Sequence, residues 1–381
     1  MPRARSLDAL TGLRFFPALA VLVFHFGRGP IPPEHPLRSL LEAGFLGVDM
    51  FFVLSGFVLV HAYRDEAFAQ PGSRIAFYRA RAARIVPLYL VSLALGFAVD
   101  PAYAIRTIAG PLGWLKLGMV MTLTNAWAHQ GMFFLNWAAW SLSVEAFFYV
   151  LFPFLAPRLA ALGTRALWGV IALAYVVGFV APTVYMTVNP DHLAPPIYKP
   201  DQELWSWYLK FFPLCHLHEF VLGAAVGALF VRHEAAFDRF VSRRPDLLAF
   251  AAFAPIVLAA AASRHIPYPW LHGALLPPVF AALIAVLACG RGRLARLFAT
   301  RPLGLLGRAS YGMYILQVPV VYLSRNWWGA ATSLPATAAL VAGMTALSIV
   351  AHLAIEEPLR RAFAPAKRRL ISEPSSLPSS G

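Results

Sequence analysis

The sequence predicts an all-α polytopic membrane protein with about ten transmembrane helices in one bundle. Of its 381 residues, 59% are hydrophobic and only 13% are charged, and the mean hydropathy is +0.63. Soluble domains carry roughly 25% charged residues, so the composition excludes an ordinary soluble protein. In addition, the apolar residues are grouped in runs long enough to cross a bilayer.

The predicted spans follow one another along the whole chain. They are 9–27, 44–63, 85–100, 137–157, 166–187, 207–231, 246–263, 273–289, 309–325 and 335–355. The formal net charge of +14 does not indicate nucleic-acid binding, because the basic residues lie in short clusters between the spans. With both termini in the cytoplasm, 24 of the 32 Lys and Arg fall on the inner side, as the positive-inside rule requires.

Two segments lie outside this pattern of spans. Trp114 to Trp127 is apolar but short, and we expect a re-entrant or interfacial segment packed against the bundle. We assign residues 1–363 to the integral membrane domain. Residues 364–381, with clustered Lys and Arg followed by Ser and Pro, are expected to form a disordered cytoplasmic tail.

The first span contains Arg14 and His25, eleven positions apart in an apolar run. On a helix this spacing places both side chains on nearly the same face, about 16 Å apart. Charged groups within a bilayer usually face the bundle interior or a wet cavity, which favours a functional pair. The alternative is an arginine that snorkels to the interface and a histidine hydrogen-bonded between helices.

Two carboxylates are expected near the depth of His25. Asp49 lies toward the outer end of the second span, and Glu145 lies near the outer end of the fourth, four residues after Ser141. A carboxylate beside a histidine fixes its tautomer and raises its basicity. The sequence therefore predicts a polar pocket of His25, Asp49 and Glu145, with a helix-packing hydrogen bond as the alternative for Asp49. Gly47 permits close helix approach.

A basic run from Phe77 to Tyr89 is predicted at the inner face. Arg81 and Arg84 are three residues apart and share a helical face, and Arg79 is close by. Arginine binds phosphate bidentately, so the run is a candidate site for a phosphorylated donor. The alternative is ordinary positive-inside charge in contact with lipid headgroups.

No metal site is predicted. Cys215 and Cys289 have neither disulfide nor metal spacing. His216 and His218 are two residues apart, about 200° around a helix, and cannot easily share a metal ion. Gln317 is a polar group inside an apolar helix and is expected to serve packing.

Several of these stretches together resemble the membrane acyltransferase family that O-acylates bacterial cell-surface sugars. The resemblance is strong from residue 7 to about 155 and weaker as far as Glu357. It is carried by Leu7–His25, by GFLGVDMFFVLSGFVL, by the Phe77–Tyr89 run ending in RIVPLY, and by WSLSVE.

The resemblance implies a ten-helix enzyme of the bacterial cytoplasmic (inner) membrane. Such an enzyme takes an acyl group, commonly acetyl, from acyl-CoA at the cytoplasmic face and delivers it to a hydroxyl of a glycan or other acceptor outside. The essential Arg and His of the family correspond to Arg14 and His25, and the glutamate of its fourth-helix motif corresponds to Glu145. The inner arginine motif corresponds to Arg79, Arg81 and Arg84.

Two positions depart from the family pattern, with Gln317 where many relatives have His and His216 where an Arg is common. Some relatives carry an additional hydrolase-like domain outside the membrane. We therefore expect this chain to complete the transfer alone or to pass the acyl group to a partner. An oligomer is compatible with the sequence.

The predicted mechanism places the CoA phosphates on the inner arginines, with Arg14 guiding the donor and His25 as general base. A polytopic solute transporter is the main alternative, because polar residues near the bilayer midplane fit it equally. A structural partner in an envelope assembly is the third hypothesis.

Overall fold

The structure is a computed structural model that describes residues 7–193 and 203–362. Every regular element within these ranges is helical, which confirms the all-α prediction. The predicted tail at 364–381 and the residues before Leu7 lie outside the described part of the chain.

The helices in the first half are α1 (Asp8–Leu13), α2 (Phe15–Phe26), α3 (Leu37–Glu42), α4 (Leu46–Ala62), α5 (Ser73–Val99), α6 (Pro101–Ala109), α7 (Gly113–Met121), α8 (Trp140–Ala161) and α9 (Thr164–Val188). Those in the second half are α10 (Leu204–Phe211), α11 (Leu217–Arg232), α12 (Glu234–Arg243), α13 (Pro245–Ala261), α14 (Tyr268–Leu271), α15 (Pro277–Ala288), α16 (Gly292–Phe298), α17 (Arg301–Trp328), α18 (Leu334–Ala351) and α19 (Glu357–Ala362). A π-helical turn, His352–Glu356, joins the last two.

Among the described residues, seven helical segments are long and apolar enough to cross a membrane. They are Asp8–Phe26, Leu37–Ala62, Ser73–Val99, Trp137–Ala161, Thr164–Val188, Pro213–Arg232 and Leu334–Ala362. Two helix pairs, α12 with α13 and α15 with α16, bend by 93° and 83° and raise the count to as many as nine. The membrane class of the fold is confirmed, whereas the count of ten and the side of each terminus remain predictions.

The ninth predicted span, 309–325, lies within α17. This helix has 28 residues but is not among the apolar segments, since Gln317, Arg325 and several tyrosines lower its hydropathy. It packs against α1, α2, α5 and α18. Four polar side chains of α17 contribute to the sites described below: Ser310, Tyr311, Tyr314 and Gln317.

The helix that contains the third predicted span is longer than that span. We expected it at 85–100, but α5 begins at Ser73 and has 27 residues. Its first turns contain the arginine run, which lowers the hydropathy without breaking the helix. Arg81 and Arg84 consequently lie on the same helix as the apolar residues that follow them.

The first span is broken at Arg14, between α1 and α2. Pro17, one turn later, has no N–H to donate to the carbonyl of residue 13. The next helical hydrogen bond, from the Ala18 N–H to the Arg14 carbonyl, is stretched to 3.5 Å. The break places Arg14 at a corner of the chain beside α4, α5 and α8.

Small residues bring α4 and α11 into close contact near the centre of the bundle. A Cβ at Gly56 would lie 2.6 Å from the backbone nitrogen of Ala224, and one at Gly223 would lie 3.0 Å from the Cα of Val53. Neither position has room for a larger side chain. As predicted, Gly47 likewise permits close approach, here of α4 to Pro17.

The segment from Trp114 to Trp127 forms α7 and a short turn, Asn125–Trp127. Nine helical residues extend only about 13 Å, too little to cross a bilayer. The hydroxyl of Tyr89 donates to the Val120 carbonyl (2.6 Å), and the Ala126 N–H donates to Ser143 Oγ (3.2 Å). The segment is therefore held against α5 and α8, as expected for a re-entrant or interfacial element.

Candidate active site

A cavity lies where the α1–α2 break meets α4, α5, α8 and α17. It contains about 770 Å³ of free space, including its open mouth. Its polar lining consists of Arg14, Ser55, Arg81, Arg84, Ser141, Glu145, Tyr149, Ser310, Tyr311 and Tyr314. Phe51, Phe52 and Leu54 are among the apolar lining residues. The structure thus brings three predicted cofactor-binding arginines and one predicted carboxylate into one cavity, which we call the arginine cavity.

The guanidinium groups of the three arginines of this cavity are available to a ligand. In the described part of the chain, Arg14, Arg81 and Arg84 make neither an ion pair nor a side-chain hydrogen bond, and Nε of Arg81 is buried without an acceptor. The Arg81 guanidinium lies 5.8 to 5.9 Å from three aromatic ring centres, which favour a cation. Unpaired guanidinium groups that face a cavity favour an anionic ligand.

Glu145 lies among these arginines. Its carboxylate Oε1 accepts a hydrogen bond from the hydroxyl of Tyr149, one helical turn later. Glu145 is also within electrostatic reach of Arg84 and Arg14. The cavity holds three cationic side chains and one acidic one, so it remains positive in sum.

Arg79 does not join the other arginines. It is exposed, two residues before Arg81 on α5, and it does not line the cavity. Residues two apart point about 200° away from each other on a helix. The structure therefore separates Arg79 from Arg81 and Arg84, whose three-residue spacing does place them together.

His25 lies elsewhere, on the last turn of α2, and does not line the arginine cavity. Its Nδ1 is 3.3 Å from Oε1 of Gln317, and Nε2 of Gln317 donates to the Tyr314 carbonyl at 2.8 Å. The ring centre of Trp137 lies 4.5 Å from that of His25, edge to face. His25 is only half-buried, whereas Gln317 is completely buried.

These contacts define the tautomer of His25. The Gln317 amide must donate through Nε2 to a carbonyl, which leaves Oε1 as the acceptor. The proton of a neutral imidazole is then on Nδ1, and Nε2 carries the lone pair. An unprotonated Nε2 is the form that a general base requires.

The predicted pocket of His25, Asp49 and Glu145 is not formed. Glu145 lies in the arginine cavity, and Asp49 Oδ2 accepts from the N–H of Gly273 at 3.0 Å. Neither carboxylate hydrogen bonds to His25, whose partner is the amide of Gln317. The position of each residue along its span predicts its depth in the membrane, but it does not predict the direction in which the side chain points from the helix.

Sequence reasoning missed three side chains of these sites. Tyr149 follows Glu145 by four residues, and Ser141 precedes Glu145 by four, so one polar stripe along α8 could have been read from the spacing. Tyr311 lines the cavity while its hydroxyl donates to the Ile85 carbonyl at 2.8 Å. Gln317 was assigned to packing, although an isolated amide in an apolar helix needs polar partners.

Comparison with known proteins identifies the family. Residues 7–353 match the model of the acyltransferase 3 family, described as an acyltransferase domain. The chain is 30% identical to acyltransferase MdmB of Streptomyces mycarofaciens, over 94% of this chain and 93% of that protein. No solved structure matches the chain.

Two further relatives are named O-acetyltransferases. The putative peptidoglycan O-acetyltransferase YrhL of Bacillus subtilis (strain 168) is 26% identical over 84% of this chain, which spans 49% of the length of YrhL. The O-acetyltransferase OatA of Staphylococcus aureus (strain NCTC 8325 / PS 47) is 29% identical over 39% of this chain and 24% of its own length. The family match spans most of the chain and includes both the arginine cavity and His25. The chain also has helices that are long and apolar enough to cross a membrane. The chain therefore belongs to the acyltransferase 3 family and is an integral membrane acyltransferase.

Proposed function

We propose that this protein transfers an acyl group, in the simplest case acetyl, from cytoplasmic acyl-CoA to a hydroxyl of a cell-surface glycan or related acceptor. We place it in the bacterial cytoplasmic membrane, with the arginine cavity toward the cytoplasm and His25 toward the outside. Family membership disfavours the transporter alternative. The observation that carries the proposal is the group of three unpaired arginines in one cavity.

The arginine cavity suits the phosphate groups of acyl-CoA. Guanidinium groups form paired, charge-assisted hydrogen bonds with phosphate oxygens. Arg81 and Arg84 come from one turn of α5, and Arg14 faces them from the α1–α2 break. Three cations from two segments of the chain would bind a ligand with several phosphates more tightly than they would bind a ligand with only one.

Glu145 and Tyr149 organise this binding site. A carboxylate free to move among three arginines would pair with them and reduce their attraction for phosphate. The Tyr149 hydroxyl donates to Glu145 and holds its carboxylate on the α8 side of the cavity. Tyr149 is thus a positioning residue that acts through Glu145, and in this account Glu145 does not activate His25.

His25 performs the proton transfer. Nε2 removes the proton of the acceptor hydroxyl as its oxygen attacks the acyl carbon, forming the ester bond. The thioester C–S bond breaks, and the CoA thiolate leaves and takes up the proton from Nε2 of His25, so that neutral His25 is regenerated. Gln317 keeps the Nδ1 proton in place and so leaves Nε2 available for each cycle.

The distance between the two sites requires a donor with a long arm. Residues 14 and 25 are eleven positions apart along the first span, about 16 Å on a helix. The phosphates at Arg14 and the acyl carbon at His25 are then at opposite ends of one extended ligand. This arrangement explains why the binding and the chemical residues share the first span.

The test is genetic complementation. Cells that lack the gene are compared with cells that express the wild-type chain, His25→Ala, or the control His265→Ala, whose exposed histidine belongs to neither site. Surface glycans, lipids and secreted metabolites are analysed for acyl esters. We expect wild type and His265→Ala to restore an ester and His25→Ala to fail, although purified His25→Ala still binds CoA. Full restoration by His25→Ala would remove its chemical role.

A further inference from the structure

A second group of ionisable side chains lies outside the site described above. Asp49 on α4, His216 in the turn before α11 and Glu219 on α11 each direct one ligand atom to within 4.8 Å of the others. Their exposed fractions are 1%, 2% and 0%. None of the three lines the arginine cavity.

The hydrogen bonds of His216 leave its lone pair facing this group. Nε2 lies 2.8 Å from the Lys210 carbonyl, which can only accept, so Nε2 carries a proton. In the neutral ring, Nδ1 then has the lone pair, and it lies 3.1 Å from Oε1 of Glu219. Two acceptors at this separation need a proton or a cation between them.

The carboxylates also lack donors. Asp49 Oδ2 accepts from the Gly273 N–H, but Oδ1 of Asp49 and Oε2 of Glu219 are buried with no hydrogen-bond partner in the described residues. A charged His216 would pair with Glu219 and still leave both of these oxygens unsatisfied. Buried polar atoms without partners are uncommon and point to a missing ligand.

The turn at Gly273 shapes the group. Its φ of +88° favours glycine, and a Cβ there would lie 2.6 Å from Oε1 of Glu219. The same residue donates its N–H to Asp49, and its carbonyl lies 3.0 Å from Nε2 of His218. His218 is therefore engaged elsewhere, as its angular separation from His216 predicts.

We propose that Asp49, His216 and Glu219 form a binding site for one divalent metal ion of the Zn²⁺ type. Two carboxylates and one imidazole are suitable ligands for such an ion, with a further position for water. A metal-binding histidine almost always donates its other N–H to a carbonyl or carboxylate, as His216 does to Lys210. The ion would join α4 to α11 and to the turn that precedes α11.

The local spacing of His216, His218 and Glu219 did not predict this metal site. The third ligand, Asp49, comes from a helix far away in the chain. The proposed site is separate from acyl transfer, and its expected role is to stabilise the contact between α4 and α11. Its failure would leave the proposed function unaffected.

The experiment is metal binding by the full chain, purified in detergent with a tag that contains no histidine. After chelator treatment, Zn²⁺ alone is titrated by calorimetry, and Zn²⁺ content is measured after gel filtration. We expect about one Zn²⁺ per chain and an increase in the unfolding temperature. Isosteric Asp49→Asn and Glu219→Gln should each weaken Zn²⁺ binding by about tenfold or more.

A matched control keeps the result specific. Glu356 pairs with His352 at 3.0 Å in another buried His–carboxylate contact, so Glu356→Gln should leave Zn²⁺ binding unchanged. If one of the Asp49 or Glu219 variants does not fold, the other variant and the wild-type titration still show whether this group binds Zn²⁺. A wild-type chain that binds no Zn²⁺, or binding equally strong in both folded variants, would show that the group holds protons only.

Discussion

Replacing Gln317 with leucine tests whether its amide fixes the tautomer of His25. Leucine is similar in size but has no acceptor, so the Nδ1 proton of His25 loses its partner at 3.3 Å. The side chain is completely buried, and no water is expected to replace the amide in an apolar setting. The variant should therefore populate the tautomer whose Nε2 is already protonated.

The size of the effect follows from the hydrogen bond that is lost. An ordinary hydrogen bond contributes about 0.5 to 1.5 kcal/mol net. Because the Nδ1–H of His25 also loses this hydrogen bond in the transition state, where the ring becomes an imidazolium, kcat should fall by about 2- to 12-fold, since RT is about 0.6 kcal/mol. The Kd for CoA should not change, because Gln317 does not line the arginine cavity.

The assay measures kcat by release of the CoA thiol from acetyl-CoA in the presence of acceptor. CoA affinity is determined separately by calorimetry, and gel filtration verifies folding. Gln317→Glu, which keeps an acceptor oxygen at this position, is the matched variant and should retain more activity than Gln317→Leu. An unchanged kcat in Gln317→Leu, or a loss of CoA binding instead, would refute the reasoning.

Two other substitutions test the fold and the arginine cavity. Gly223→Leu inserts a side chain where a Cβ would already lie 3.0 Å from the Cα of Val53 and closer still to its carbonyl group, and overpacking should cost at least about 1 to 3 kcal/mol in thermal unfolding. Gly343→Leu, at a position with nothing within 4 Å, should cost little, and an equal loss in both would contradict the packing account. Tyr149→Phe frees the Glu145 carboxylate to pair with the arginines and should weaken CoA binding by about tenfold. Tyr78→Phe, which loses only an exposed bond to Val150, should bind CoA normally, and a normal Kd in Tyr149→Phe would remove the positioning role of Tyr149.

Hydropathy and periodicity predicted most of the fold. The apolar runs correspond to long helices, because each must satisfy its backbone hydrogen bonds internally in lipid. The third predicted span begins later than α5, since charged residues such as Arg81 lower hydropathy although arginine favours helix. The polar residues of α17 also lower its hydropathy, so the predicted span at 309–325 is shorter than the helix. Bends such as the 93° turn between α12 and α13 depend on tertiary packing, and the amino-acid composition of the segment does not predict their angle.

The candidate site was predicted only where spacing within one helix determines it. The three-residue separation of Arg81 and Arg84 correctly places both on one face, and the same geometry could have excluded Arg79. Contacts between helices were not predictable, because hydropathy fixes neither the rotation of a helix nor its neighbours. Glu145 and Asp49 were therefore assigned to His25, whereas the structure places them with Tyr149 and Gly273.

The most direct test of the central claim is the affinity of the purified protein for CoA. Each guanidinium–phosphate contact should contribute about 1.5 to 3 kcal/mol, so Arg84→Ala should raise the Kd by about 10- to 150-fold. Arg79→Ala, on the opposite side of α5, should leave the Kd unchanged, and added salt should weaken wild-type binding. An Arg84→Ala variant that binds CoA as tightly as the wild type, or an equal loss in Arg79→Ala, would contradict the account.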